Sequence, residues 1–186
     1  MRFVYADPPY LGCAHRYPEH PEAYVWDDPQ SHIDLVSRLV CEEEAWAFSC
    51  TPGTLRYVLP HCPEASIRAW VKPFAAFKKH VNPARAWEPV LVGGGRKRTD
   101  ANTYMRDWVA QSIALKKGLT GAKPEGFCFW LFDSVNLQPE DTFVDLFPGS
   151  GQVSRAWIKY RDQYDTVASR INRVSARWES GKGVLR

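Results

Sequence analysis

Apolar residues along this chain fall into short runs, some at strand spacing and some at helical spacing, separated by Pro, Gly and charged clusters. Arg2–Ala6 (Arg-Phe-Val-Tyr-Ala) is an apolar run of strand length that stops at Asp7-Pro8-Pro9, because two prolines cannot continue a sheet ladder. Ile33, Leu35, Val36, Leu39 and Val40 share one helical face, which predicts an amphipathic helix capped by Ser31 and running to about Glu43. Ala45–Cys50 predicts a second strand, Leu55–Leu59 a short helix, and Ser66–Val71 and Trp87–Val92 two further strands joined by a basic connection. Residues 93–123 show little periodicity and predict a long loop with one weak helix. Glu125–Asn136 reads as a buried aromatic-rich helix and Thr142–Phe147 as a strand. The tight turn Pro148-Gly149-Ser150-Gly151 then opens a helix at Gln152. Strands alternating with helices predict an α/β fold with a largely parallel sheet. At 186 residues the chain suits one domain with a full core, residues 1–186.

Composition adds a charge asymmetry. The net charge is only +3, yet residues 1–67 carry 4 Lys/Arg against 10 Asp/Glu, residues 68–123 carry 12 against 3, and residues 124–186 carry 8 against 8. A basic block inside a neutral or acidic frame predicts a polyanion-binding, target-recognition insertion contained within residues 74–122. A solvated basic face is the alternative. The five cysteines form no C-x-x-C pair, which argues against a disulfide framework and predicts a reduced, cytoplasmic compartment. No apolar run reaches the length of a membrane span, and the first ten residues lack the pattern of a signal peptide. Cys13, His15 and His20 are close in sequence, but their spacing matches no metal site, so none is expected.

Two motifs carry the candidate chemistry. Asp7-Pro8-Pro9-Tyr10 closes the first strand. Its rigid Pro-Pro segment presents a carboxylate, a backbone carbonyl and an aromatic ring in one constellation. The lone pair of an amine conjugated to a purine is delocalised, so the amine is a poor nucleophile. Hydrogen bonds accepted from both of its hydrogens, by Asp7 and the Pro8 carbonyl, would concentrate that lone pair. Tyr10 would stack on a base swung out of the helix. The second motif, Asp145-Leu146-Phe147-Pro148-Gly149-Ser150-Gly151, is a strand, a Gly-rich turn and a helix start. Such glycines let backbone approach a ligand at the carboxyl end of a strand. No Gly-Lys-Ser/Thr follows, so it is not a P-loop, and the third Gly of a dinucleotide fingerprint is absent.

Together the motifs resemble those of the DNA adenine-N6 (amino) methyltransferases, in the permuted order with Asp-Pro-Pro-Tyr ahead of the cofactor loop. The resemblance runs in order over residues 1–160. It includes Lys123-Pro124 before the cofactor loop and Trp87–Arg98 (Trp-Glu-Pro-Val-Leu-Val-Gly-Gly-Gly-Arg-Lys-Arg) between the motifs. It implies a Rossmann-like S-adenosylmethionine-dependent fold, circularly permuted. It implies catalytic roles for Asp7, Pro8, Pro9 and Tyr10. Asp7, Lys123, Pro124, Asp145, Phe147, Pro148, Gly149, Ser150 and Gly151 would hold S-adenosylmethionine. The activity implied is methylation of adenine N6 in double-stranded DNA, with the target adenine flipped. Asp at the first catalytic position favours adenine over cytosine N4. RNA, cytosine N4 or a modified base are alternative acceptors, and a catalytically inert DNA-binding relative is the alternative of another class. Restriction partner, regulator and phage self-protection are all compatible roles. Lys78, Lys79, Arg85, Arg96, Lys97, Arg98, Lys116 and Lys117 are the expected phosphate contacts.

One departure stands out. The family supplies, after the cofactor loop, a strand ending in an acidic residue for the ribose hydroxyls. Here Gln152–Tyr164 is polar and helical in pattern, followed by an amphipathic helix with Val167, Ile171, Val174 and Trp178 on one face. The sheet is therefore expected to be truncated on the cofactor side. Asp162, Asp165 or a second copy in a homodimer would then serve the ribose. Trp46, Trp70, Trp87, Trp130 and Trp157 are expected in the core, and Trp108 in a loop facing a base.

Overall fold

A computed structural model describes residues 1–74, 83–98, 104–113 and 122–163. Six strands form one sheet: β1 (Arg2–Ala6), β2 (Ala45–Ser49), β3 (Ser66–Val71), β4 (Trp87–Gly94), β5 (Trp108–Ala110) and β6 (Thr142–Asp145), in the order β5-β3-β4-β2-β1-β6. β1 pairs in parallel with both β2 and β6, and β3 with β5. β4 runs antiparallel to β2 and β3, so the sheet is mixed. The helices are α1 (Pro29–Glu42), α2 (Pro52–Val58), α3 (Glu125–Ser134) and α4 (152–163).

β1 is buried on both faces, as a central strand of a covered parallel sheet must be. Its alternation sends Phe3 and Tyr5 to one layer, with Trp70, Val90 and Val92, under α3 (Phe127, Leu131, Phe132) and α4 (Val153, Ala156, Trp157, Tyr160). Val4 and Ala6 go to the other, with Trp46, Phe48 and Leu91, under α1 (Leu35, Val36, Leu39) and α2 (Val58). α3 is apolar nearly all round because it is covered on most sides, with Phe127, Cys128, Trp130, Leu131 and Phe132 all buried. None of the helices among the described residues is long and apolar enough to cross a membrane.

Several expectations need correction. α1 is capped by Asp28, whose Oδ1 accepts from the Gln30 N–H at 2.9 Å, with Pro29 at the first helical position. An ionised acceptor followed by a proline preset for helix is the stronger start signal. Ser31 instead donates its hydroxyl to the Val25 carbonyl at 2.7 Å. Part of the segment read as a loop is β5, placing Trp108 on a strand opposite Ala69. Trp46, Trp70, Trp130 and Trp157 are buried, but Trp87 is 40% exposed, like Trp108. The terminal amphipathic helix and Asp165 lie outside the described residues. Among those residues, β6 is the last strand on its side of the sheet.

Candidate active site

The two motifs meet because β1 and β6 are neighbours in register, Tyr5 opposite Asp145. Both strands end at the same edge. Asp7 therefore emerges beside the turn that follows Asp145, and the Leu146 N–H continues the pairing onto the Tyr5 carbonyl at 3.0 Å. Beneath them the Tyr5 hydroxyl, fully buried, shares a 2.8 Å hydrogen bond with Ser49 of β2.

Asp7 is not alone. The Lys123 ammonium lies 2.9 Å from Asp7 Oδ2 and donates to the Tyr10 hydroxyl at 3.1 Å. That hydroxyl donates in turn to Glu88 Oε2 at 2.8 Å. Glu88 Oε2 also lies 3.6 Å from the Lys123 ammonium, and Glu88 Oε1 is paired with Lys72. Lys123 is only 4% exposed. It sits among the rings of Trp70, Tyr10 and Phe127 at 5.3, 5.5 and 5.9 Å. Burial pulls its pKa down, but Asp7 and Glu88 outweigh that and hold the ammonium charged. Burial pushes Glu88 up, and Lys123 and Lys72 together bring it below the usual carboxylate range. For Asp7 burial prevails over Lys123, lifting the carboxyl above its ordinary value. Two carboxylates and two ammonium groups thus form a balanced, mostly buried cluster around Tyr10.

The adjoining loop is a glycine turn, with the Arg155 guanidinium donating to the Ser150 carbonyl at 2.8 Å. Gly149 and Gly151 take positive φ, +44° and +69°, a region closed to most side chains. A Cβ on Gly149 would meet only the Phe147 carbonyl, at 3.9 Å. The turn closes with the Gly151 N–H donating to the Pro148 carbonyl at 2.6 Å, and α4 follows. Asp145 accepts from the Phe147 N–H at 3.2 Å and weakly from the Ser154 hydroxyl at 3.5 Å. Burial, assisted by the charge of Asp7, lifts its carboxyl to about 6. Phe147 packs edge-on against Trp26, centroids 5.0 Å apart.

Asp7, Tyr10 and Lys123 thus form one cluster, and Asp7 and Lys123 lie near enough to Asp145 to act on its carboxyl. Lys123 lies on the Asp7 side of this group, and Pro124 is the residue before α3. Glu88 and Lys72 were missed by sequence reasoning. A Glu inside an apolar strand is an outlier that signals a buried partner, and it was the available clue.

The expected phosphate contacts divide. Arg85 is exposed just before β4, at the same edge as Asp7. Because β4 runs antiparallel, residues after Gly94 lie at the opposite edge, where Gly94 faces Ala45 at the start of β2. There Arg96 pairs with the buried Asp141, and Arg98 donates to the Asp133 carbonyl at 2.7 Å. Both make intramolecular pairs there, about 15–20 Å from Asp7 at strand rise. Lys97 is exposed on that far edge. Lys78, Lys79, Lys116 and Lys117 lie outside the described residues.

Compared with solved structures, the chain is similar to the M1.HpyAVI–SAM complex (TM-score 0.60, 17% identity, covering 86% of this chain and 78% of that one). It is also similar to M1.HpyAVI alone (0.54, 15%, 86% and 76%). A third match is a provisionally assigned DNA modification methylase from Thermus thermophilus (0.50, 15%, 84% and 75%). No protein-family model matches the chain, and no curated protein matches its sequence. The mixed α/β fold of the described residues is the fold of these solved structures, one of them a complex with SAM.

Proposed function

We propose that this protein transfers a methyl group from S-adenosylmethionine to N6 of adenine in double-stranded DNA, as a permuted amino-methyltransferase of one domain, with a basic target-recognition insertion contained within 74–122, outside the strands β4 and β5. The observation that carries the reading is the pairing of β1 with β6, which sets Asp7 and its Pro-Pro-Tyr segment beside the glycine turn after Asp145. The neighbour solved with SAM and the DNA modification methylase supply the cofactor and polymer classes.

The residues suit that cofactor. Gly149 leaves its part of the turn clear of side chains, the Arg155 guanidinium lies beside Gly151 and donates to the Ser150 carbonyl at 2.8 Å, and Asp145 is an incompletely satisfied carboxylate nearby, fit for an ammonium or hydroxyl donor. Phe147, Pro148, Ser150, Pro124 and Lys123 are assigned to the same cofactor. When bound, the cofactor supplies an electrophilic methyl on a sulfonium. Asp7 and the Pro8 carbonyl accept the two hydrogens of the adenine amine, Pro9 keeps the segment rigid, and Tyr10 stacks on the flipped base. Asp7, lifted by burial, is the better acceptor for it. Arg85, with Lys78, Lys79, Lys116 and Lys117, contacts phosphates; these groups set the position of the duplex and read no sequence.

Asp7→Ala tests the assignment, since Asp7 orients the amine and does not hold the sulfonium. Transfer should fall by at least about 100-fold while calorimetric binding of S-adenosylmethionine stays within a few-fold. Transfer at the wild-type rate would remove Asp7 from the centre. Tight DNA binding with no transfer by wild-type protein would favour the inert DNA-binding relative.

A further inference from the structure

A carboxylate that shares its charge with an ammonium is a weaker acceptor for the substrate amine, and Asp7 Oδ2 is held by the Lys123 ammonium at 2.9 Å. The same ammonium has a second anion within reach. Glu88 Oε2 is 3.6 Å away, so a shift of roughly 0.8 Å converts that approach into a direct charge-assisted bond. Glu88 cannot follow Lys123 back, because Lys72 holds its other oxygen and the Tyr10 hydroxyl donates to Oε2 at 2.8 Å.

Resting on the methyltransferase reading above, we propose that Glu88 is the positioning residue of the transfer centre. It fixes the Tyr10 ring through the phenol and takes Lys123 from Asp7 when the substrate amine arrives. The amine then hydrogen-bonds to Asp7 through one hydrogen and to the Pro8 carbonyl through the other, while Lys123 rests between Glu88 and Tyr10. As the nitrogen–methyl bond forms, the sulfur–methyl bond of the sulfonium breaks to leave a neutral thioether, and the proton shed by the methylated amine passes to the Asp7 carboxylate and on to water. Charge favours this exchange. Asp7 and Glu88 balance Lys72 and Lys123, so the cluster accepts a sulfonium and an amine that turns cationic during transfer without a net positive charge of its own. Neutralising Glu88 leaves one surplus ammonium in a buried site, the sign that opposes methyl transfer, and removes the alternative seat for Lys123. A Glu88 that served only to anchor β4 would matter for folding and not for the chemical step.

Glu88→Gln keeps the side-chain size and a carbonyl able to accept from Tyr10, and removes the charge. The expected result is a fall in kcat of about 100-fold, with KM for DNA and binding of S-adenosylmethionine within about 3-fold of wild type. Glu88→Asp, which restores the charge on a shorter arm, should recover about tenfold of that loss. A second readout needs no turnover: the Lys123 ammonium ¹⁵N resonance of the protein alone, assigned by its disappearance in Lys123→Arg, should move in Glu88→Gln. A kcat within 3-fold of an active wild type, or loss that appears only in KM, overturns the proposal and leaves the methyltransferase reading standing. An unmoved Lys123 resonance overturns the sharing of that lysine whatever the substrate is. Absence of transfer by wild-type protein overturns both readings, and a resonance that still moves then assigns the cluster to structure alone.

Discussion

Arg96→Ala should lower the stability of the fold and leave DNA affinity unchanged. In sequence, Arg96 belongs to a basic triplet with every mark of a phosphate contact; in the fold it embraces Asp141 with both guanidinium nitrogens, Nη2 reaching Oδ1 at 2.6 Å. The Asp141 side chain is 1% exposed. The Arg96 guanidinium, helped by the Gln138 N–H at 2.8 Å and the Met1 amino group at 2.9 Å, holds its carboxyl well below the usual range despite burial. Removing one partner of a buried pair costs about 3–5 kcal/mol when the other charge is orphaned. Here Gln138 and Met1 remain, so the loss should be nearer that of charged hydrogen bonds, about 1.5–3 kcal/mol. For a chain of this size that corresponds to a fall in Tm of about 4–10 °C. The folded pKa of Asp141 is depressed, so its contribution is present above the unfolded carboxyl pKa near 4 and disappears as pH falls below it. The gap between wild type and variant should therefore narrow in acid. Thermal unfolding by circular dichroism from pH 3 to pH 7, with anisotropy titration of a labelled duplex at several salt concentrations, measures both effects. An unchanged Tm, with weaker DNA binding and a log–log salt slope shallower by about 0.9, would return Arg96 to the phosphates and refute the reasoning.

Two further changes test other parts of the account. Asp145→Asn removes a carboxyl whose folded pKa is raised to about 6, so the wild-type fold loses stability between about pH 4 and pH 6 and stays lower above. The variant should be the more stable protein at pH 7, by about 1–2 kcal/mol in urea unfolding, with no advantage below pH 4, and should bind S-adenosylmethionine at least about tenfold more weakly. Equal stability at both pH values, or unimpaired cofactor binding, would contradict the placement of Asp145. Gly94→Ala puts a Cβ 2.0 Å from the Glu44 carbonyl oxygen at a φ of +67°, and backbone must move to admit it. It should cost about 3 kcal/mol or more, read by urea unfolding, and a neutral substitution would mean that the β2–β4 register is other than described.

How far the sequence could be read depends on how local each signal is. β1 and β3 are found with the bounds expected from their runs, because each is delimited by neighbours, prolines after Ala6 and a Lys-Pro step after Val71. The two chemical motifs were legible for the same reason, since each is contiguous and ends a strand. β5 was not. Three residues give no periodicity, and its pairing partner Ala69 lies 39 positions upstream. The roles of Arg96 and Glu88 were hidden in the same way. Arg96 finds Asp141 45 residues downstream, and Glu88 finds Tyr10 78 residues upstream, so neither partner is visible in a local window. Charge runs are read by composition, whereas the direction of β4 decides which end of the sheet they reach. Its reversal carries the Arg96–Arg98 triplet to the edge away from Asp7 while leaving Arg85 and Glu88 beside it.

The central claim is the identity of the atom that receives the methyl group, and product analysis addresses it without intermediaries. Wild-type protein is incubated with methyl-labelled S-adenosylmethionine and a mixed-sequence DNA duplex, and the DNA is digested to nucleosides and separated by chromatography with mass detection. The label should appear as N6-methyladenine and vanish in Asp7→Ala. Label in N4-methylcytosine would keep the residue roles and contradict the base, while absence of labelled nucleoside at millimolar cofactor with bound DNA would contradict the account itself.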